Sequence, residues 1–449
     1  MMSSNNTKGY HQMFKKFASA IKNKKALSGG GLFILIIILF LPQWQHFNSI
    51  INDTIAPDLL LRTIGSRLQK AGMPVYSYQW KNGDPAEWLN IYPDLRVGLN
   101  GVISTPFALW LLQPFSKLNY CDIKMIWGYL QEFLLFASVW LCCKTFTKIS
   151  GQVIFLLFAT FFFIYDSQWL LHLYNGQMYV MYTFVFSLIG YLVLRLNNQK
   201  QVVFLLPILS AIRPFFIFSL LPFLKLKKWV FIALSVGVFT AMTLIILSTT
   251  VSQWKYYNHA MNQYAKEATG GLKVDSGQMI LNVHYADACI VNKTKGFKVF
   301  NAGCLYSLQH YLILLGIRIS KTSFYQAILA VFLLAFWFIS YKKNWLNNPL
   351  KQLILAFIYY QACELLVPAV RNPYNMVQWL PAIGWLVLSG KRTIILIVLI
   401  GLYLNHSFTF LFKYEREIGE MILFVALGIL LMNNKIMTSL QSVRDSLTR

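Results

Sequence analysis

Long apolar stretches recur along the whole chain, near 31–47, 123–143, 153–171, 177–195, 229–249, 323–341, 350–368, 376–390, 393–411 and 419–432. Short polar or basic turns separate them. Each approaches the ~20 residues that a helix needs to cross bilayer hydrocarbon. Backbone groups in hydrocarbon must be satisfied within the segment, which selects helices. The pattern predicts an all-α polytopic membrane protein with about ten full transmembrane helices.

Two further apolar stretches are ambiguous. TPFALWLLQPF (105–115) is short and contains Pro106 and Pro114, while 202–224 is interrupted by Pro207, Pro214 and Pro222. Each internal proline removes a backbone hydrogen bond and crowds the preceding turn. Both stretches are expected to be re-entrant or interfacial half-helices, and such broken backbone is tolerated only where it is buried or lines a cavity. The segment 202–224 is therefore expected to wall a site.

Charge then orients the chain. Lys15, Lys16, Lys22, Lys24 and Lys25 precede the first run, which by the positive-inside rule leaves the N-terminus in the cytoplasm. The first run reads as a retained span, since a polar and basic segment precedes it and no clean small-residue cleavage site follows. If both ambiguous stretches crossed, there would be twelve spans. Ten spans put Lys144, Lys148, Arg195 and Lys200 inside and Lys117 and Lys124 outside, and twelve spans reverse that balance. Ten is preferred. The expected layout is a basic cytoplasmic segment 1–30, one membrane domain 31–432 with external loops 48–98 and 251–307, and a cytoplasmic tail 433–449.

Composition agrees with this class. Hydrophobic residues make up 57% and charged residues only 12%, against about 25% charged in soluble domains. The net charge of +24 sits in short clusters at span ends, where topology and anionic headgroups account for it. Nucleic acid is not an expected partner. Of six cysteines, only Cys289 and Cys304 share an external loop in this layout, so they alone are expected to be able to pair.

Ten spans gather several polar groups on one non-cytoplasmic face. Asp58 opens a helical stretch just after the first span and can serve as a general base. It can equally cap that helix and complement its dipole. Asp53, a few residues earlier, is the rival base. Arg213 is an isolated cation in an apolar run, which by default marks a function, although a snorkelling arginine reads the same way. Asn175 and Gln177 can donate to a sugar or phosphate, or simply form the turn between two helices. His172 beside them reads as interfacial. Arg371 is a second candidate anion ligand or a topological charge. Loop 251–307 offers Trp254, Tyr256, Tyr257, His259, Asp275, His284 and Asp287, suited to acceptor recognition or to membrane anchoring.

The order of these segments resembles the GT-C integral-membrane glycosyltransferases, most of all glycosyltransferase family 87. The resemblance covers roughly 30–390 and rests on Asp58 after the first span, then Gly72, Pro74 and Tyr76. Tyr92 and Pro93 precede the short apolar segment 105–118, Gly176 and Gln177 open a span, Arg213–Pro214 lies in a broken helix, and RNPYNMVQWLP (371–381) opens a late span. Two positions depart from the pattern. The family usually carries lysine at the position of Arg213, and its late turn often holds a histidine where this chain has Arg371, Asn372, Tyr374 and Asn375.

The resemblance implies a GT-C-type bundle that moves a hexose, usually mannose, from a polyprenyl-phosphate donor. The acceptor is a glycolipid or glycan at the outer face of a cell membrane. Asp58 would be the base, and Arg213, Gln177, Asn175, Arg371 and Tyr92 would bind substrate. A lipid-linked oligosaccharide flippase or transporter is the first rival, but no internal repeat is visible. An O-antigen-type polymerase or ligase is the second, and it would lean on loop arginines that 251–307 lacks. No metal or nucleotide signature appears, so no cofactor is expected.

Overall fold

The computed structural model describes residues 30–54, 56–89, 102–146, 148–196, 205–207, 209–210, 212–223, 228–268, 312, 322–366, 371–406 and 415–433. Among these residues the regular structure is helical. The helices are α1 (Gly30–Asp53), α2 (Pro57–Lys70), α3 (Pro106–Leu112), α4 (Tyr120–Thr145), α5 (Ile149–Ala159), α6 (Ser167–Asn175) and α7 (Tyr179–Leu194). They continue as α8 (Lys228–Ser248), α9 (Val251–Ala268), α10 (Thr322–Lys342), α11 (Pro349–Leu366), α12 (Leu380–Leu388), α13 (Arg392–Asn405) and α14 (Glu415–Met432). Tighter 3-10 segments run over Pro214–Phe223 and Pro373–Trp379.

Among the described residues three helices are long and apolar enough to cross a membrane unaided: α1, α4 and the Phe324–Lys342 part of α10. Two bent pairs raise this to five if each is one span. Helix length and composition therefore give three to five crossings where the apolar runs predict about ten. Breaks within the runs account for part of the difference. The run 153–171 changes to a π turn at Thr160–Ile164 and then bends by 52° into α6. The run 376–390 begins as a 3-10 segment, and α7 and α13 have only 16 and 14 residues.

Both proline-broken stretches stay short. Helix α3 has seven residues, about 10 Å of rise against about 30 Å of hydrocarbon. Segment Pro214–Phe223 packs along α11, where Gln352 donates to the carbonyl of Pro222 at 3.5 Å. Helix α11 is the central element, buried along nearly its whole length.

The beginning of the expected loop 251–307 is helix α9, bent 94° from the preceding Ser235–Ser248 segment. A reciprocal capping box starts it: Gln253 N–H donates to Thr250 Oγ1 at 3.3 Å, and Thr250 N–H donates to Gln253 Oε1 at 2.9 Å. This pattern satisfies two helix-end donors at once.

Helix α2 is amphipathic. Leu59, Leu60, Ile64 and Leu68 face inward and are buried. Arg67 reaches past them to the carbonyls of Ser116, Glu87 and Leu118 at 3.2, 3.1 and 3.0 Å, fastening the surrounding turns to α2. Gln69 donates to the carbonyl of Pro106 at 3.1 Å, which seats α3 beside it.

Candidate functional site

The site starts from a strained residue. Ala56, just before α2, has φ 51°, a left-handed conformation that costs an alanine about 1–2 kcal/mol. Its carbonyl accepts from Tyr120 Oη at 2.8 Å and from Leu60 N–H at 3.0 Å, which hold the kink. Pro57 and Asp58 then form the first turn of α2. Ala56 occupies the capping position and no side chain caps the helix. The carboxylate of Asp58 points to Gln177, whose Nε2 donates to Oδ2.

Gln177 is aimed by its neighbours. Gly176 ends α6 at φ 65°, and a Cβ there would lie 2.7 Å from Leu59 Cβ, so only glycine lets the two segments close. Arg62 lies one helical turn beyond Asp58 on the same face of α2. It donates to the carbonyl of Gly176 at 2.9 Å, to Gln177 Oε1 at 3.0 Å and to Ser104 Oγ at 3.2 Å. With Oε1 held by a cation, the amide nitrogen must face the other way. There it donates to Tyr374 Oη at 2.9 Å as well as to Asp58.

Asp58 is only partly exposed. Burial raises its pKa above the ordinary carboxylate range, and the Arg62 guanidinium opposes that shift. Desolvation makes the carboxylate a stronger base while the residual opening leaves it reachable. Asp53, the rival, is exposed at the end of α1 and accepts from Ser49 Oγ within its own helix at 2.8 Å.

Arg213 reaches the same region from the broken segment. Thr105 Oγ1 donates to the carbonyl of Ile212 at 2.9 Å and ties the segment to α3. The guanidinium turns inward, donating to Glu364 Oε2 at 2.6 Å. It also lies 5.0 and 5.7 Å from the ring centres of Tyr179 and Tyr182. Arg213 keeps 19% side-chain exposure whereas Glu364 has none, so the cation faces the open side of the pair. The rings of Tyr179 and Tyr374 are 5.8 Å apart. Asp58, Gln177, Tyr374, Tyr179 and Arg213 thus follow one another in space.

An aromatic helix closes one flank. Tyr257 of α9 packs on Tyr76 at 5.7 Å between ring centres and on Trp254 at 5.8 Å. Burial pushes the Tyr257 phenol up to about 12, opposed by the positive charge of Arg213. Tyr76 donates to the carbonyl of Ser104 at 2.7 Å. Tyr256 and His259 of the same helix are exposed.

Other candidates sit apart from this line. Asn175 is half-buried and turns back to the carbonyl of Leu171 at 2.9 Å. Arg371 is buried and donates to both oxygens of Glu420, each at 2.7 Å, with Trp379 Nε1 joining at 3.3 Å. That pair anchors the turn carrying Tyr374 to α14. His172, expected at the interface, is fully buried, stacked on Trp169 at 5.2 Å between ring centres. Tyr92, Asp275, His284, Asp287, Cys289 and Cys304 lie outside the described residues.

Cys121, in the first turn of α4, is disulfide-bonded, which corrects the expectation that Cys289 and Cys304 alone can pair, while Cys142, Cys143 and Cys363 are buried free thiols. Among the described residues no three of His, Cys, Asp and Glu cluster closely enough to hold a metal ion.

Sequence reasoning named Asp58, Gln177 and Arg213 but not the carboxylates Glu364 and Glu420. A signal existed, because an acid within an apolar run such as QACELL (361–366) needs a partner as much as Arg213 does. No protein-family model matches the chain, and neither a curated protein nor a solved structure matches it.

Proposed function

We propose that this chain is a GT-C-type membrane glycosyltransferase, with about ten transmembrane helices and its site on the outer face of a cell membrane. It would move a hexose, mannose by resemblance to family 87, from a polyprenyl-phosphate donor to a glycolipid or glycan acceptor. The observation that carries this reading is the approach of Asp58 and Arg213 to one aromatic-lined region through Gln177, Tyr374 and Tyr179. A base and an anion-binding group on either side of a water-poor space are what transfer from a lipid phosphate requires.

In this mechanism Asp58 takes the proton of the acceptor hydroxyl as its oxygen attacks the anomeric carbon. The bond from that carbon to the phosphate oxygen breaks, its electron pair stays on the phosphate, and Arg213 faces the charge that develops. Glu364 holds the guanidinium in place. Tyr257, backed by the buried ring of Tyr76, supplies a face on which a sugar ring can rest. The disulfide at Cys121 supports an outward-facing site, because disulfides persist in oxidising compartments. Tyr120, its neighbour in the same turn, donates to the Ala56 carbonyl that leads into Asp58.

The test uses purified protein in detergent with radiolabelled polyprenyl-phosphate mannose and a lipid extract as acceptor. Label moving into glycolipid, with release of polyprenyl phosphate, is the expected result. Absence of transfer from polyprenyl-phosphate mannose, glucose and galactose alike would reject the assignment.

A further inference from the structure

The Tyr374 hydroxyl is held in an unusual state of use. Its oxygen accepts an N–H from Gln177 Nε2 at 2.9 Å and another from Asn372 Nδ2 at 2.7 Å. The Gln177 amide is oriented independently, since Arg62 grips its Oε1 at 3.0 Å. A phenol oxygen that accepts in this way directs its own hydrogen elsewhere. Among the described residues no group accepts that hydrogen, although Tyr374 is only 6% exposed. Donors buried without a partner are costly and uncommon. A ligand oxygen is the natural acceptor.

Position narrows which oxygen. On one side Tyr374 shares the Gln177 amide with Asp58, and on the other its ring meets Tyr179, over which Arg213 lies. In glycosyl transfer the moving sugar sits between the attacking oxygen and the leaving phosphate. We infer that Tyr374 is a specificity-determining residue whose hydroxyl donates a hydrogen bond to one ring hydroxyl of the transferred sugar. The assignment rests on the glycosyltransferase reading. It adds a residue to which the resemblance assigns no role.

Second contacts fix the ring itself. Tyr374 meets the edge of His172 at 6.3 Å between centres, and the Arg371–Glu420 pair anchors the turn two residues before its neighbour Pro373. Tyr374→Phe therefore keeps the aromatic packing and removes only the hydroxyl, which makes it a clean probe.

The experiment measures kcat/KM of wild type and Tyr374→Phe with polyprenyl-phosphate mannose and with its 2-, 3-, 4- and 6-deoxy counterparts. Thermal unfolding of both proteins is recorded alongside. Wild type should lose about tenfold on one deoxy donor, and Tyr374→Phe should lose about tenfold on the parent donor but nothing further on that same deoxy donor. Such non-additivity is the mark of a direct contact. Equal losses by Tyr374→Phe on all five donors would overturn the assignment while leaving glycosyl transfer standing. If those equal losses come with weaker inhibition by polyprenyl phosphate alone, the hydrogen bond goes to phosphate and the assignment is likewise wrong. A wild-type protein that transfers from none of the five donors removes the glycosyltransferase reading, and the sugar contact falls with it.

Discussion

Asp58 and Tyr374 take hydrogen bonds from the same amide nitrogen, Gln177 Nε2, although they come from opposite ends of the chain. The shared donor holds a carboxylate and a phenol at one place. Arg62 sets its direction by gripping the other end of the amide. The arrangement concentrates the proposed chemistry on a few side chains, each of which can be changed alone.

Asp58→Asn keeps the shape of the residue and removes the proposed base. Transfer should fall by about 10²–10⁴-fold, the usual scale for loss of general acid–base catalysis. Stability has its own sign. A carboxylate whose pKa is raised by burial favours the folded form most at low pH, and that advantage is lost as pH rises through the raised value. The thermal stability of Asp58→Asn relative to wild type should therefore improve from pH 4 to pH 8. A midpoint difference that does not change with pH would contradict the buried-carboxylate account.

Arg62→Gln tests how that carboxylate is tuned. The guanidinium lowers the Asp58 pKa against the larger effect of burial, so its removal should raise the pKa further. The acid limb of the pH–rate profile should move to higher pH in Arg62→Gln. A limb that stays in place or moves lower would assign the titration to another group. The maximal rate should also drop, because the Gln177 amide loses its anchor.

Arg213→Ala would do two things at once. It removes the cation proposed to face the phosphate and takes from the buried Glu364 its ion-pair partner, and breaking such a pair costs about 3–5 kcal/mol. The double variant Arg213→Ala/Glu364→Ala should recover most of that stability and still bind donor poorly. Isothermal titration with polyprenyl-phosphate mannose, alongside thermal unfolding, separates the two effects. Full donor affinity in the double variant would remove Arg213 from the phosphate site.

Arg371→Ala serves as the contrast. Its partner Glu420 is buried and receives both guanidinium nitrogens, so the single change should destabilise by about 3–5 kcal/mol. Loss of transfer should mainly follow the loss of folded protein, with any further drop in the folded fraction no greater than the about tenfold expected of Tyr374→Phe, because the pair also anchors the turn that carries Tyr374. A specific rise in donor KM without destabilisation would restore Arg371 as an anion ligand.

Sidedness can be read with cysteines placed at two exposed positions, Asn82 and Ser150. In intact cells a membrane-impermeant maleimide should label Asn82→Cys and spare Ser150→Cys until the cells are opened. The reverse pattern would put the site inside. Cys142, Cys143 and Cys363 are buried, and the labelling of unsubstituted protein, which carries Cys289 and Cys304 in the expected external loop, is subtracted as background.

The sequence by itself determined the helical class of the molecule and the breaks at its two proline-rich stretches, but not the π turn at Thr160–Ile164 that interrupts the run 153–171. Apolar runs demand helices in hydrocarbon, and the prolines at 106, 114, 214 and 222 forbid a straight course whatever packs around them. The Thr250–Gln253 capping box, a four-residue pattern that acts locally, also stands in the sequence, but the stretch it opens was expected to be loop and is helix α9. Arg213 could be named because a cation is conspicuous against an apolar background, and Asp58 and Gln177 because their places along the chain resemble the family 87 pattern. Partnership could not be read in the same way. Whether Asp58 caps its own helix or meets Gln177 depends on a left-handed Ala56 held by Tyr120, a contact between residues 64 positions apart. Arg213 and Arg371 look alike along the chain, since each is one cation beside a proline-broken segment. Their difference was set only when α11 brought Glu364 to the first with an open side left over, while α14 brought Glu420 to enclose the second. Local pattern follows from side-chain size and backbone chemistry, but the use of a charge depends on which opposite charge the fold places next to it.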